Sequence, residues 1–108
     1  MSYNIQLSQN FQKEAKKLIK KYASLKNELS ELFIALEENP VMGTSLGNGV
    51  YKIRIAIASK GKGKSGGARV MSYVKVIDTA VLLFSIYDKS DKDSISDAEI
   101  EELLKEYK

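Results

Sequence analysis

"VYKIRIAIASKGKGKSGGARVMSYV", residues 50–74, decides how this chain folds. On its left, Val50, Tyr51, Ile53, Ile55 and Ile57 alternate with Lys52, Arg54, Ala56 and Ala58. That period of two is the signature of a strand with one apolar face and one basic or small face. On its right, Ala68 to Ile77 is rich in Val and Tyr and reads as a second strand. Between them, residues 60–69 hold four cations, four glycines and one alanine, a composition that cannot pack into a core. The short turn Asp78-Thr79 then leads into an almost wholly apolar run from Thr79 to Tyr87. Three consecutive strands with tight connections predict an antiparallel meander.

The flanking segments are helical apart from the first few residues. Tyr3 to Leu7 alternates as a short strand, and Ser8 is placed to cap a first helix. In that helix Phe11, Ala15, Leu18, Ile19 and Tyr22 recur at helical spacing, with Lys13, Lys16, Lys17, Lys20 and Lys21 largely on the other faces. Ser24 is positioned to cap a second helix with a stripe of Leu25, Leu29, Leu32, Phe33 and Leu36, stopped at Asn39-Pro40. So short a link makes the two helices a hairpin. Residues 41–48 read as loop. Ile95 to Tyr107 reads as a terminal helix, with Ser94 or Ser96 as cap, acids in its first turns and Lys105 and Lys108 near its end. The predicted order is strand, two helices, three strands, helix. This is an α+β fold in one domain over residues 1–108. An antiparallel sheet of about four strands packs one face on the N-terminal helical hairpin, and Lys52 and Arg54 project from a partly open second face.

Composition narrows the chemistry. The chain has no cysteine and no histidine, so thiolate chemistry, disulfides and imidazole acid–base work are excluded, and no cofactor or metal is expected. No run approaches the roughly 20 apolar residues of a membrane span, and no signal peptide is visible. The expected compartment is the cytoplasm. Net charge is +3, but residues 39–77 contain seven Lys or Arg and no carboxylate. So one-sided a block makes a local positive field that favours polyanions, the other reading being a solvated basic face.

The glycine/lysine stretch admits three readings. Gly63-Lys64-Ser65 resembles the end of a phosphate-binding P-loop, but Ala58 stands where the first glycine is needed and the segment joins strand to strand, not strand to helix. It also serves as a soluble, flexible hairpin connection. Finally, Lys60, Lys62 and Lys64 on a glycine backbone can follow a phosphate chain, flanked by Arg54 and Arg69, which an antiparallel pair brings to one face. The last two readings are compatible. Asp88, Asp91 and Asp93 have a metal-loop spacing but lack the glycine and terminal glutamate of a calcium loop, so they read as loop and cap residues.

Nearly the whole chain resembles the RelE/HigB family of toxins from bacterial type II toxin–antitoxin systems, within the RelE/ParE superfamily. The resemblance is carried by "FQKEAKKLIKKY" (11–22), "LEENPVMGTSLGNGVYKIR" (36–54), "GKGKSGGARV" (61–70) and "IYDKSD" (86–91). It implies a ribosome-dependent mRNA endoribonuclease, or mRNA interferase, that enters the ribosomal A site and inhibits translation. It also implies metal-independent chemistry, with the message's own 2′-OH attacking the adjacent phosphate. By position, the resemblance makes Arg54, Arg69, Lys89 and Tyr87 the catalytic candidates, and Lys52, Lys60, Lys62 and Lys64 the RNA-binding ones. Lys89 would serve as general acid or as a charge; Tyr87 would stack on a base, bond the phosphate or simply pack. Tyr51 and Tyr73 read as sheet-packing residues. Lys16, Lys17, Lys20 and Lys21 read as a solvated helix face or a ribosomal RNA contact. The implied partners are a cognate antitoxin, the ribosome and mRNA. Three alternatives stay open: a ParE-like inhibitor of DNA gyrase, a non-catalytic RNA-binding module, and a degenerate toxin.

Overall fold

The structure, a computed structural model, describes residues 2–107. Strand β1 (Asn4–Leu7) leads into helices α1 (Gln9–Lys21) and α2 (Leu25–Glu38). Strands β2 (Thr44–Gly47), β3 (Val50–Ile55), β4 (Ala68–Lys75) and β5 (Ala80–Asp88) come next, then helix α3 (Asp97–Leu104). The strands form one five-stranded sheet in the order β1-β5-β4-β3-β2. The α+β class, the helical hairpin, the meander and the terminal helix are as the sequence predicts.

Three details differ. The sheet has five strands, because residues 41–48 contain β2, paired antiparallel with β3. All four β2 residues are exposed, so this edge strand has no buried face to imprint an alternation on the sequence. The sheet is mixed and not wholly antiparallel: β1 runs parallel to β5, with Asn4 opposite Ala80 and Leu7 opposite Leu83. Alternation reports a strand's faces but not its direction. Finally, β3 stops at Ile55, and the chain turns through a short 3-10 segment at Ala58–Lys60.

The sheet is buried on both faces over most of its area. The helical hairpin covers the first face, where Phe11, Leu25, Leu29 and Leu36 pack on Ile53, Val70, Val81, Leu83 and Ile86. α3 covers part of the second face, where Ile95, Ile100 and Leu104 pack on Val50, Met71, Leu82 and Phe84. This explains why β5 is buried throughout and apolar but for Ser85 and Asp88: both its faces are inside. Ser8 and Ser96 are the helix caps, accepting from Phe11 N–H at 3.0 Å and Glu99 N–H at 3.1 Å. Ser24 holds the N-cap position of α2, but its side chain caps no backbone N–H of the helix. Its hydroxyl donates to Glu28 Oε1 at 3.1 Å and accepts from Ser59 N–H at 2.9 Å, which ties α2 to the start of the β3–β4 connection.

A bulge in β5 matters for the edge of the sheet. The β4–β5 register steps from Ser72 opposite Leu83 to Met71 opposite Ser85, so Phe84 is the extra residue. β1 ends at Leu7, which leaves the later part of β5 without a strand on that side. Side chains of α1 substitute for it. Asn10 Nδ2 donates to Phe84 O at 3.0 Å, and Glu14 Oε1 accepts from Ile86 N–H at 3.2 Å and Ser85 Oγ at 2.9 Å.

Gly67 lies where three strands meet. Its carbonyl accepts Lys89 N–H at 3.0 Å, which extends the β4–β5 ladder beyond Asp88. A Cβ added to Gly67 would collide with the Ile55 carbonyl oxygen on β3, a backbone atom that cannot swing away. Gly67→Ala is therefore expected to destabilise the fold by about 3 kcal/mol, measured as a lowered midpoint in urea unfolding.

Candidate functional site

The strand register determines which cations meet. Arg54 on β3 stands opposite Arg69 on β4, and Arg69 stands opposite Tyr87 on β5. The three form one cross-strand row on the face that α3 only partly covers. Directly opposed residues in antiparallel strands lie about 5 Å apart. Lys52, two residues before Arg54, shares that face on β3 and sits opposite Met71. By the same alternation Lys89 follows Tyr87 on that side, immediately past the end of β5.

Arg69 is the unusual member. It is 4% exposed, yet it forms no ion pair among the described residues. Its guanidinium donates only to carbonyls: Lys64 O at 2.9 Å, Ala68 O at 3.2 Å and Ser65 O at 3.2 Å. A buried cation without a carboxylate is costly, and a second guanidinium directly opposite adds like-charge repulsion. Both features are poor for stability and suited to a binding site for an anion.

Tyr87 is buried, and its hydroxyl has no hydrogen-bond partner among the described residues. Burial pushes its pKa up, against the pull of nearby Arg69. The Lys92 ammonium lies 5.6 Å from the centre of its ring. An orphaned buried hydroxyl costs about 1–3 kcal/mol. Tyr87→Phe is therefore expected to stabilise the fold by about 1 kcal/mol, read as a raised Tm.

The remaining sites divide. Lys89 Nζ is bound to Asp93 Oδ1 at 2.7 Å, and Lys89 holds the Asp93 carboxyl below its ordinary value. Lys62 and Lys64 are exposed on the connection; Lys64 and Arg54 together line a cleft between α2 and β3, walled by Leu32, Ala35 and Met42. Lys60 does not join them. Its side chain is 8% exposed and forms a short ion pair with Asp88 Oδ1, with Ser90 Oγ at 2.7 Å as a second acceptor. The connection is thus no free loop: Ala58 N–H is held by Glu28 Oε2 at 2.6 Å, Lys60 by Asp88, and the Lys64 and Ser65 carbonyls by Arg69.

Asp88 is more than a turn residue. Its Oδ1 accepts Ser90 N–H at 2.9 Å, a cap of the kind expected, but its Oδ2 also accepts the Tyr22 hydroxyl at 2.6 Å, with Lys21 at 4.0 Å. The one sequence signal for this was a lone acid closing an apolar strand. Burial alone would raise the Asp88 pKa, but the hydrogen bonds from Lys60, Tyr22 and Ser90 prevail and hold it at about 2, against 3.8 ordinarily. The unfolded chain therefore binds this proton first on acidification. Asp88 contributes its full share of stability above about pH 5 and loses it as pH falls through about 2, a contribution of about 2 kcal/mol. In acid titration followed by circular dichroism, the stability of Asp88→Asn should vary less between pH 5 and 2 than that of the unaltered protein.

Among the described residues, no helix is long and apolar enough to cross a membrane, and no three His, Cys, Asp or Glu side chains group as metal ligands.

Fold and candidate site together define a small α+β domain with two arginines and a tyrosine in register across three strands of a five-stranded sheet. Residues 3–108 match the family model described as the RelE toxin of the RelE/RelB toxin–antitoxin system, and the chain belongs to that family. No functionally curated protein matches it. Among solved structures, it is similar to a double arginine-to-alanine mutant of the E. coli toxin RelE in the free state. That match has a TM-score of 0.68 at 18% identity and covers 100% of both chains. It is also similar to the isolated E. coli RelE toxin, with a TM-score of 0.63 at 18% identity over 96% of this chain and 98% of that one. A third match is the intact E. coli RelBE toxin–antitoxin complex, with a TM-score of 0.61 at 18% identity over 81% of this chain and 96% of that one.

Proposed function

We propose that this RelE-family toxin is an endoribonuclease that cuts mRNA in the ribosomal A site and thereby stops translation. The observation that carries the reading is Arg69: a buried guanidinium without a carboxylate, directly opposite Arg54. A phosphodiester supplies the missing negative charge. In the reaction, the 2′ oxygen bonds to the adjacent phosphorus and the bond from phosphorus to the 5′ oxygen breaks. The products are a 2′,3′-cyclic phosphate and a free 5′-OH, so one proton leaves the 2′-OH and one reaches the departing oxygen. The intervening phosphorane carries more negative charge than the ground state, and cations fixed in advance stabilise it selectively.

In this reading Arg54 and Arg69 hold the phosphate and bear the developing charge. The Tyr87 hydroxyl, buried beside Arg69, gains its hydrogen bond only when the phosphate arrives. Lys89 supplies a proton or a charge at the leaving oxygen once it parts from Asp93, whose carboxylate is 91% exposed and easily displaced. Lys52, Lys62 and Lys64 follow the flanking backbone. Lys60 is spoken for by Asp88 and is left out of the RNA contacts. The cytoplasm, where ribosomes are, is the compartment this activity requires.

The second partner in this reading is a cognate antitoxin, by analogy with the E. coli complex. An acidic segment would be drawn to residues 39–77, and charge complementarity speeds such capture.

Mapping transcript 5′ ends after induction tests the proposal. Cuts are expected only with translating ribosomes, and Arg54→Ala or Arg69→Ala should lower cleavage about 100- to 1000-fold. Intact messages with arrested supercoiling would instead indicate a gyrase inhibitor; RNA binding without any cut would indicate a binding module.

A further inference from the structure

We propose that Asp88 is a positioning residue of the candidate active site, acting through Lys60 and the β3–β4 connection on the guanidinium of Arg69. The inference rests on the role given to Arg69 above. Asp88 is flanked in sequence by Tyr87 and Lys89, but it points to the opposite face of the sheet and is 1% exposed, so it does not touch substrate. Both carboxylate oxygens are engaged. Oδ1 takes the Lys60 ammonium and Ser90 N–H; Oδ2 takes the Tyr22 hydroxyl, with Lys21 nearby. One side chain thus joins the end of α1, the β3–β4 connection and the end of β5.

The connection needs such an anchor. Residues 60–67 are lysines, glycines and one serine, so no apolar side chain can fix them. Directional polar contacts must set the position instead. Of the three lysines, Lys60 is the internal one, whereas Lys62 and Lys64 are exposed. Four and five residues beyond it, Lys64 and Ser65 present the carbonyls that hold Arg69. Lys60 also bonds Ser90, next to Lys89. The buried pair therefore orients two of the proposed catalytic cations, and neither member faces the RNA. Buried ion pairs are weak stabilisers compared with apolar packing but can specify geometry.

A double-mutant cycle on single-turnover cleavage of ribosome-bound mRNA tests this, using Asp88→Asn, Lys60→Met and both together. Each single change should slow cleavage about 10- to 100-fold at saturating toxin, as misplacement of a catalytic group does. The double should be no slower than the worse single, affinity for the ribosome should change less than about twofold, and Lys60→Arg should recover most of the rate. Multiplicative effects, or affinity lost in Lys60→Met alone, would mean Lys60 meets RNA directly and would overturn the proposal. A second measurement needs no catalysis: the guanidinium NMR signals of Arg69, assigned by their loss in Arg69→Lys. They should be resolved in the unaltered protein and averaged in Asp88→Asn, with backbone amides still native. Unchanged Arg69 signals would overturn the proposal even if cleavage fell. If the unaltered protein cuts no RNA, the functional reading fails, while the Arg69 signals still decide the role of Asp88.

Discussion

Two arginines directly opposite each other on neighbouring strands are the constraint around which this structure is organised. Like charges at that spacing repel, and one of the pair is also deprived of water. The protein answers with backbone dipoles and not with carboxylates. The carbonyls of Lys64, Ser65 and Ala68 solvate Arg69 while leaving its net charge in place. A carboxylate in their place would have cancelled that charge.

The rest of the architecture serves that arrangement. Burial on both faces makes the central strands rigid, so the row is held by packing and not by the long side chains themselves. α3 covers Val50, Met71 and Phe84 but leaves Arg54 exposed, so the same face is core at one end and candidate site at the other. The connection beyond Ile55, glycine-rich and apolar-poor, is fixed by polar ties to α2, to Asp88 and to Arg69 itself. Each tie uses a residue from a different element, so the site's geometry depends on the whole fold being assembled.

Much of this was legible in the residues. Alternation in 50–58 gave the strand and its basic face, and the absence of acids over 39–77 gave the sign of the field. Reading an antiparallel hairpin put Arg54 and Arg69 on one face, while their direct opposition is set by the strand register. What escaped shows where pattern stops carrying information. β2 has no buried side to alternate. The direction of β1 relative to β5 leaves no mark on either. Lys60 looks like Lys62 and Lys64 in a string of letters, and only the fold brings it against an acid from another strand. The same holds for Ser24, a cap by composition that instead binds Ser59 because the connection passes beside it.

The pairing of β1 with β5 bears on how the nascent chain matures. Asn4 waits for Ala80, and the row from Arg54 to Tyr87 also needs β5. Contacts so distant in sequence form late, because closing the intervening chain costs entropy before any pairing repays it. During synthesis the helical hairpin can form early and β3 can pair with β4, but the β1 edge of the sheet and the Tyr87 end of the row cannot exist until β5 has emerged. A nascent chain can therefore bring its two arginines together before β1 finds its partner and before Tyr87 joins them.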